Sequence, residues 1–103
     1  MQNCIFYEED GVTGAFQSPS FVSRDASYSV QMVMGPGVTY NMELQGSLDN
    51  VNWVTIVNPV SSIITNETAE SVLYDNRSGY HRYLRIVGEV TAGTANIKGY
   101  VSR

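Results

Sequence analysis

A strongly alternating stretch at residues 40–56 constrains the fold more than any other part of this sequence. Its first half alternates Tyr40, Met42 and Leu44 with polar residues, which is the period-two pattern of a half-buried β-strand. The run Gly-Ser-Leu-Asp-Asn follows, and its glycine, aspartate and asparagine favour a tight turn. A second strand begins at Trp53, the only tryptophan. The sequence therefore predicts a β-hairpin with one apolar and one polar face.

Similar patterns recur along the chain, and they predict further strands at residues 3–8, 27–34, 61–65, 70–74, 80–90 and 94–102. No window shows sustained helical periodicity. Turn signals fall about every ten residues, a spacing typical of small β-sandwiches. We therefore expect a single all-β domain over residues 1–103, an antiparallel two-sheet β-sandwich (jelly-roll-like) with seven to eight strands and almost no helix. Residues 1–21 are expected to form either an extended N-terminal arm or edge strands of the sandwich.

Charge and composition exclude several classes of protein. The net charge of −4 and the pI near 4.7 argue against nucleic-acid binding, which requires a basic patch. No stretch approaches the roughly 18–20 apolar residues of a membrane span, so no membrane partner is expected. Cys4 is the only cysteine, which excludes an internal disulfide and favours synthesis in a reducing compartment.

The residues that usually carry catalysis are sparse. His81 is the only histidine, and Arg82 beside it would make a general base hard to maintain. One histidine and one cysteine do not supply the several ligands of a hydrolytic zinc site. The sequence therefore predicts no enzyme activity, no catalytic residues, no bound metal and no cofactor.

Two groups of oxygen-bearing side chains allow a structural or a functional interpretation. Glu8, Glu9 and Asp10 are adjacent and are followed by glycine, so we expect a solvated turn and not a pair of catalytic carboxylates. Asp49 and its neighbouring asparagines offer oxygens to calcium, but three oxygens in a hairpin turn are more typical of turn formation.

Tyrosines supply the aromatic surface. Tyr28 and Tyr40 fall on the apolar faces of their strands and are predicted to be core residues. Tyr83 and Tyr100 fall on the opposite faces and are predicted to be exposed, with Arg85 on the face of Tyr83. Such residues bind a glycan or a protein neighbour, or they simply cover a sheet.

A resemblance to known proteins is carried by four runs, which are Asp25-Ala-Ser-Tyr-Ser-Val-Gln31, Leu44-Gln-Gly-Ser-Leu-Asp-Asn-Val-Asn-Trp53, Tyr83-Leu-Arg-Ile86 and Gly93-Thr-Ala-Asn-Ile97. They resemble small β-sandwich structural proteins of tailed bacteriophages, over about residues 20–101. The hairpin is also similar to those of discoidin-like, galactose-binding sandwiches. A separate domain of this size is most like a capsid decoration (cement) protein.

The resemblance implies a non-enzymatic virion structural protein, a homotrimer made in the host cytoplasm and placed on the capsid surface. Its partner would be the major capsid protein, which it would decorate and stabilise. A carbohydrate-binding module, with a glycan as partner, and a tail or neck structural subunit are the alternatives. Large aromatic residues dominate interface energies, so the candidate partner-binding residues are Ile5, Phe6, Tyr7, Phe16, Phe21, Tyr83, Arg85 and Tyr100.

Overall fold

The computed structural model of the chain describes residues 3–22, 27–56, 63–78 and 82–102. These residues form ten strands and no helix. The strands are β1 (Asn3–Val12), β2 (Ala15–Gln17), β3 (Phe21–Val22), β4 (Ser27–Val33), β5 (Thr39–Ser47), β6 (Val54–Thr55), β7 (Ile63–Glu67), β8 (Ser71–Ser78), β9 (Tyr83–Ala92) and β10 (Ala95–Ser102). The predicted all-β class is confirmed. No described segment is a helix of the length and apolar character needed to cross a bilayer.

The strands form two antiparallel sheets that face each other. One has the order β1-β10-β4-β8, and the other has the order β2-β9-β5-β6, with β3 also pairing with β9 and β7 also pairing with β5. Because β2 and β3 pair with successive parts of β9, they act as one interrupted strand, and β6 and β7 do the same along β5. Eight strand positions result, four in each sheet, and the chain changes sheet at most connections. This is the jelly-roll arrangement, as predicted.

Period-two alternation builds the core between the sheets. Every second residue of β5 from Tyr40 to Leu44, and of β10 from Ala95 to Val101, is buried, and the residues between them are half-buried or exposed. Successive side chains of a strand point to opposite faces, so each strand contributes one apolar row to the interior. The predicted core positions Tyr28 and Tyr40 are 4 % and 0 % exposed, which confirms both.

The N-terminal aromatic residues belong mainly to this chain's own core, which corrects part of the predicted partner-binding set. Tyr7, Phe16 and Phe21 are at most 9 % exposed within the core, so they are not available as anchors for a partner. Phe6 is half-buried against them, with its ring 4.4 Å from that of Phe21. Only Ile5 of the five N-terminal candidates is exposed. Of the two arrangements proposed for residues 1–21, the described residues form edge strands.

An irregularity in β1 explains why both Phe6 and Tyr7 face inward. Ile5 pairs with Tyr100 and Tyr7 pairs with Gly99, so Phe6 is an extra residue on β1. A β-bulge of this kind shifts the alternation by one position. The Phe6 ring lies over Gly99, where a Cβ atom would come within 2.7 Å of it.

The acidic segment after Tyr7 is strand and not the predicted turn. β1 continues through Glu8, Glu9 and Asp10 to Val12, which pairs with Ala95 after a second register shift. All three acidic side chains are exposed. Charged side chains on an edge strand discourage pairing with a further strand, so this segment protects the edge of its sheet.

Ser18 lies in the break between β2 and β3 and forms hydrogen bonds with β9, as a strand residue would. It is 2 % exposed, and its backbone N–H donates to the Ile86 carbonyl at 2.9 Å. The Ile86 N–H in turn donates to the Ser18 hydroxyl at 2.9 Å. Pairing with β9 therefore continues across the break in the strand, although Pro19 follows immediately.

Replacing Ser18 with alanine is expected to destabilise the fold by about 1–3 kcal/mol, because the buried Ile86 N–H loses its acceptor. Ser20→Ala is the matched control, since Ser20 is exposed two residues away, and it should change stability by less than about 0.5 kcal/mol. Urea unfolding of the two variants measures the difference. Equal midpoints would contradict the structural role of the Ser18 hydroxyl.

Candidate functional site

No three histidine, cysteine, aspartate or glutamate residues of the described ranges group where they would hold a metal ion. His81 lies outside those ranges. Glu8 pairs with Lys98 at 3.4 Å on the surface. Depressions on the outer faces of the two sheets are candidate sites.

The hairpin turn after β5 uses its acidic group to hold its own backbone. Asp49 Oδ1 accepts hydrogen bonds from the backbone N–H groups of Val51 at 2.9 Å and Asn52 at 2.8 Å, and the Ser47 hydroxyl donates to it at 2.9 Å. The Asn52 side chain donates to Oδ2 at 2.8 Å. The two backbone bonds, followed by the side-chain bonds, lower the pKa of Asp49 below its ordinary value. This is turn chemistry, in agreement with the structural interpretation of the segment.

The outer face of the four-stranded sheet carries an apolar row. The row consists of Ile5, Tyr100, Gln31 and Leu73, which are paired in that order across β1, β10, β4 and β8. Ile5 is 55 % exposed and Leu73 is 57 % exposed. The row lines a shallow depression of about 520 Å³ together with serine residues at its border. Three of its four side chains are apolar or aromatic, and they lie side by side across the whole sheet.

The outer face of the six-stranded sheet, which we call the polar face, is chemically different. Arg85 lies near the start of β9, with its guanidinium carbon 4.1 Å from the centroid of the Trp53 ring. The Arg85 Nε–H donates to Gln45 Oε1 at 2.7 Å, across the pairing of β9 with β5. The three side chains are half-buried. Stacking and the hydrogen bond together fix the plane of the guanidinium.

A groove continues along the polar face from this stack. Its volume is about 450 Å³, and its borders include Asn41, Glu43, Thr65, Val87 and Glu89. Val87 pairs with Glu43 one step beyond the Arg85–Gln45 pair, and Glu89 pairs with Asn41 one step further. The groove therefore has a mixed lining, in which the apolar side chains of Met42, Ile63, Ile64 and Val87 lie among these polar ones.

The structure separates surface residues that the sequence analysis grouped together. Tyr83 and Arg85 lie on the polar face, whereas Tyr100 lies beside Ile5 in the apolar row. The two tyrosines are thus on opposite sheets and do not form one binding surface. Sequence reasoning missed Leu73 as a surface residue, although its alternation with the partly buried Val72 was the available signal.

Gln45 is a second residue that sequence analysis did not select. It lies between Arg85 and Thr55 because β5 pairs with both β9 and β6. Thr55, which pairs with Gln45, donates its hydroxyl hydrogen to Oε2 of Glu43, two residues before Gln45 on β5. Pairing between strands distant in sequence creates this arrangement, so no local motif marks it.

Searches among protein families, curated proteins and solved structures found no match to this chain.

Proposed function

We propose that this chain is a non-enzymatic structural protein of a phage virion, which decorates the capsid and stabilises it by binding major capsid protein subunits. The observation that carries the proposal is the apolar row of Ile5, Tyr100, Gln31 and Leu73. Contiguous apolar side chains on the surface of a small domain mark sites of protein contact. The jelly-roll arrangement adds support by analogy, since viral capsid and lectin domains use it.

The apolar row provides a suitable contact surface for a protein neighbour. Two exposed aliphatic side chains and a half-buried tyrosine span the four strands, and they lose water when a partner covers them. The Lys98–Glu8 ion pair borders the row on adjacent residues of β10 and β1. An apolar centre with a charged rim is the usual composition of a protein interface.

A homotrimer would place three such rows on the capsid lattice at once. Simultaneous contacts convert modest individual affinities into strong retention, provided that the geometry lets all of them form. A substitution that weakens this contact is then present in all three subunits. A substitution in the apolar row should therefore reduce retention on the particle much more than it reduces the affinity of one subunit.

Leu73→Glu is expected to reduce binding to undecorated phage heads at least about tenfold, because it places a charge in the apolar contact. Val51→Glu is the matched control, since Val51 is 75 % exposed in the turn between β5 and β6, away from the row. Co-sedimentation of each protein with purified heads measures the difference. Thermal unfolding of both variants verifies that they remain folded.

Different results would contradict different parts of the proposal. Failure of the unchanged protein to bind heads contradicts the capsid role. Equal binding by both variants contradicts the assignment to the apolar row. Electron cryomicroscopy of the intact particle separates a decoration protein, which coats the head, from a tail or neck subunit, which forms rings on the tail axis.

A further inference from the structure

Arg85 on the polar face has unused capacity for hydrogen bonding. A guanidinium carries five N–H donors, and the Nε–H is the one that Gln45 accepts. No described residue accepts from the terminal nitrogens of Arg85, and the ion pair found in the described ranges, Lys98–Glu8, is on the other sheet. Within the described part of the chain the terminal N–H groups of this half-buried guanidinium have no acceptor, so they can bind an external one.

The position of this guanidinium is fixed before any ligand arrives. The Trp53 ring supports one of its faces at 4.1 Å, and Gln45 orients its edge. An arginine that is already ordered loses less conformational entropy on binding than a free one. Its planar pair of N–H groups matches the two oxygens of a carboxylate.

Charged side chains of both signs lie around Arg85, and Glu43 and Glu89 line the groove beyond it. Glu43, the nearest acidic residue on β5, accepts the Thr55 hydroxyl. The carboxylate of Asp49 is occupied by its own turn. Arg82 adds a second cation, with its guanidinium carbon 5.6 Å from the centroid of the Tyr83 ring. An anionic unit would therefore contact Arg85, while the groove with its two carboxylates would take uncharged units.

The groove beyond Arg85 suits the uncharged part of a sugar chain. Amide, hydroxyl and carboxylate groups from Asn41, Thr65, Glu43 and Glu89 line it, and apolar side chains, Val87 and Ile63 among them, contribute a larger apolar surface. Sugar hydroxyls bond to such polar groups, while the C–H faces of the ring cover apolar side chains. The groove begins at Val87, two residues after Arg85 on β9, which is about 7 Å along the strand. Adjacent sugar units would fit this spacing.

We propose that the polar face binds an acidic oligosaccharide, with the carboxylate of a uronic or sialic acid unit on Arg85 and neutral units in the groove. An acidic side chain of a protein would satisfy Arg85 alone, but it would leave the groove unused. The proposal is independent of the proposed function, because the apolar row lies on the opposite sheet.

Trp53 provides a direct measurement, since it is the only tryptophan and it contacts the proposed site. Its fluorescence is titrated with sialyllactose and with lactose, which differ by one acidic unit, and with trigalacturonic acid and its neutral counterpart. Each acidic sugar that fits should bind at least about tenfold more tightly than its neutral counterpart, because charged hydrogen bonds to the guanidinium are lost in the latter. Calorimetry confirms the affinities independently of fluorescence.

Arg85→Gln should abolish the preference for the acidic sugar, and Arg85→Lys should weaken binding, because lysine keeps the charge but loses the planar pair of donors. Ser71→Ala, at an exposed position of β8 on the opposite sheet, is the control and should bind as the unchanged protein does. Thermal unfolding verifies that the variants are folded.

Three results would overturn the proposal. They are no binding of either acidic sugar at millimolar concentration, equal binding of acidic and neutral sugars, and unchanged binding by folded Arg85→Gln. Binding of an oligoglutamate peptide in place of both acidic sugars would assign Arg85 to a protein carboxylate and would equally contradict a glycan site. None of these results bears on retention at phage heads, so failure here is distinguishable from failure of the capsid role.

Discussion

Alanine at position 88 is expected to destabilise the protein by about 3 kcal/mol, since overpacking at a site enclosed by other strands is costly. Gly88 lies between Phe16 on β2 and Met42 on β5, its two pairing partners. A Cβ atom here would be 2.3 Å from the Asn41 carbonyl oxygen, 2.7 Å from Phe16 Cζ and 2.8 Å from Met42 Cβ. The oxygen belongs to the backbone and does not move by a change of rotamer. The pairing of β5 with β9 must therefore distort.

Gly14→Ala is the matched control for this substitution. Nothing lies within 4 Å of a Cβ atom built at Gly14, so its effect on stability should be smaller than about 0.5 kcal/mol. Guanidinium-induced unfolding of both variants gives the two free energies. A Gly88→Ala protein as stable as Gly14→Ala would show that β2 is not packed against β9 as the structure places it.

Local alternation was sufficient to predict the strands that form the centre of each sheet. In β5 and β10, side chains from one face meet the opposite sheet, so the apolar residues follow the period of the strand without interruption. The same strands identified Tyr40 and Ile97 as inward-facing. The jelly-roll class followed because turn-forming residues separate these segments at regular intervals. The structure has ten strands and not the expected seven to eight, because two of the eight strand positions are each formed by two short strands.

The N-terminal segment was harder to predict because its pattern is interrupted. The bulge at Phe6 places two consecutive aromatic residues on the same side, which period-two reasoning assigns to opposite sides. β2 and β3 have three and two residues, too few to show a period. Their burial depends on pairing with β9, nearly 70 residues away along the chain for Ser18 and Ile86. For these reasons the aromatic residues of this segment were also compatible with an extended arm that binds a partner.

The candidate sites depend on sheet membership, which a local pattern does not encode. Tyr83 and Tyr100 both alternate with core residues and were predicted to be exposed, whereas both are half-buried on the outer faces. The strand order then places them on opposite faces of the sandwich. Arg85 meets Trp53 because β9 and β6 both pair with β5. These are non-local pairings, so the sequence identified individual surface residues but not their groupings.

Tyr40 is expected to respond in opposite directions to two substitutions. Its side chain is fully buried, and its hydroxyl makes no hydrogen bond with any described residue. Tyr40→Phe removes an unsatisfied polar group and keeps the ring, so it should stabilise the protein by about 1 kcal/mol. Tyr40→Ala leaves a cavity in the core and should destabilise the protein by about 3–5 kcal/mol, as other aromatic truncations do.

Alkaline unfolding gives a second test of the same hydroxyl. Burial, and then the negative charge of Glu67, raise the pKa of Tyr40 above its ordinary value. The unfolded chain releases this proton at about pH 10, while the folded chain retains it, so the contribution of Tyr40 is complete below that pH and is lost as the pH rises further. Tyr40→Phe should lose less stability than the unchanged protein above about pH 10. Urea unfolding at neutral and alkaline pH measures both proteins. Destabilisation by Tyr40→Phe at neutral pH would show that the hydroxyl is satisfied in the native state.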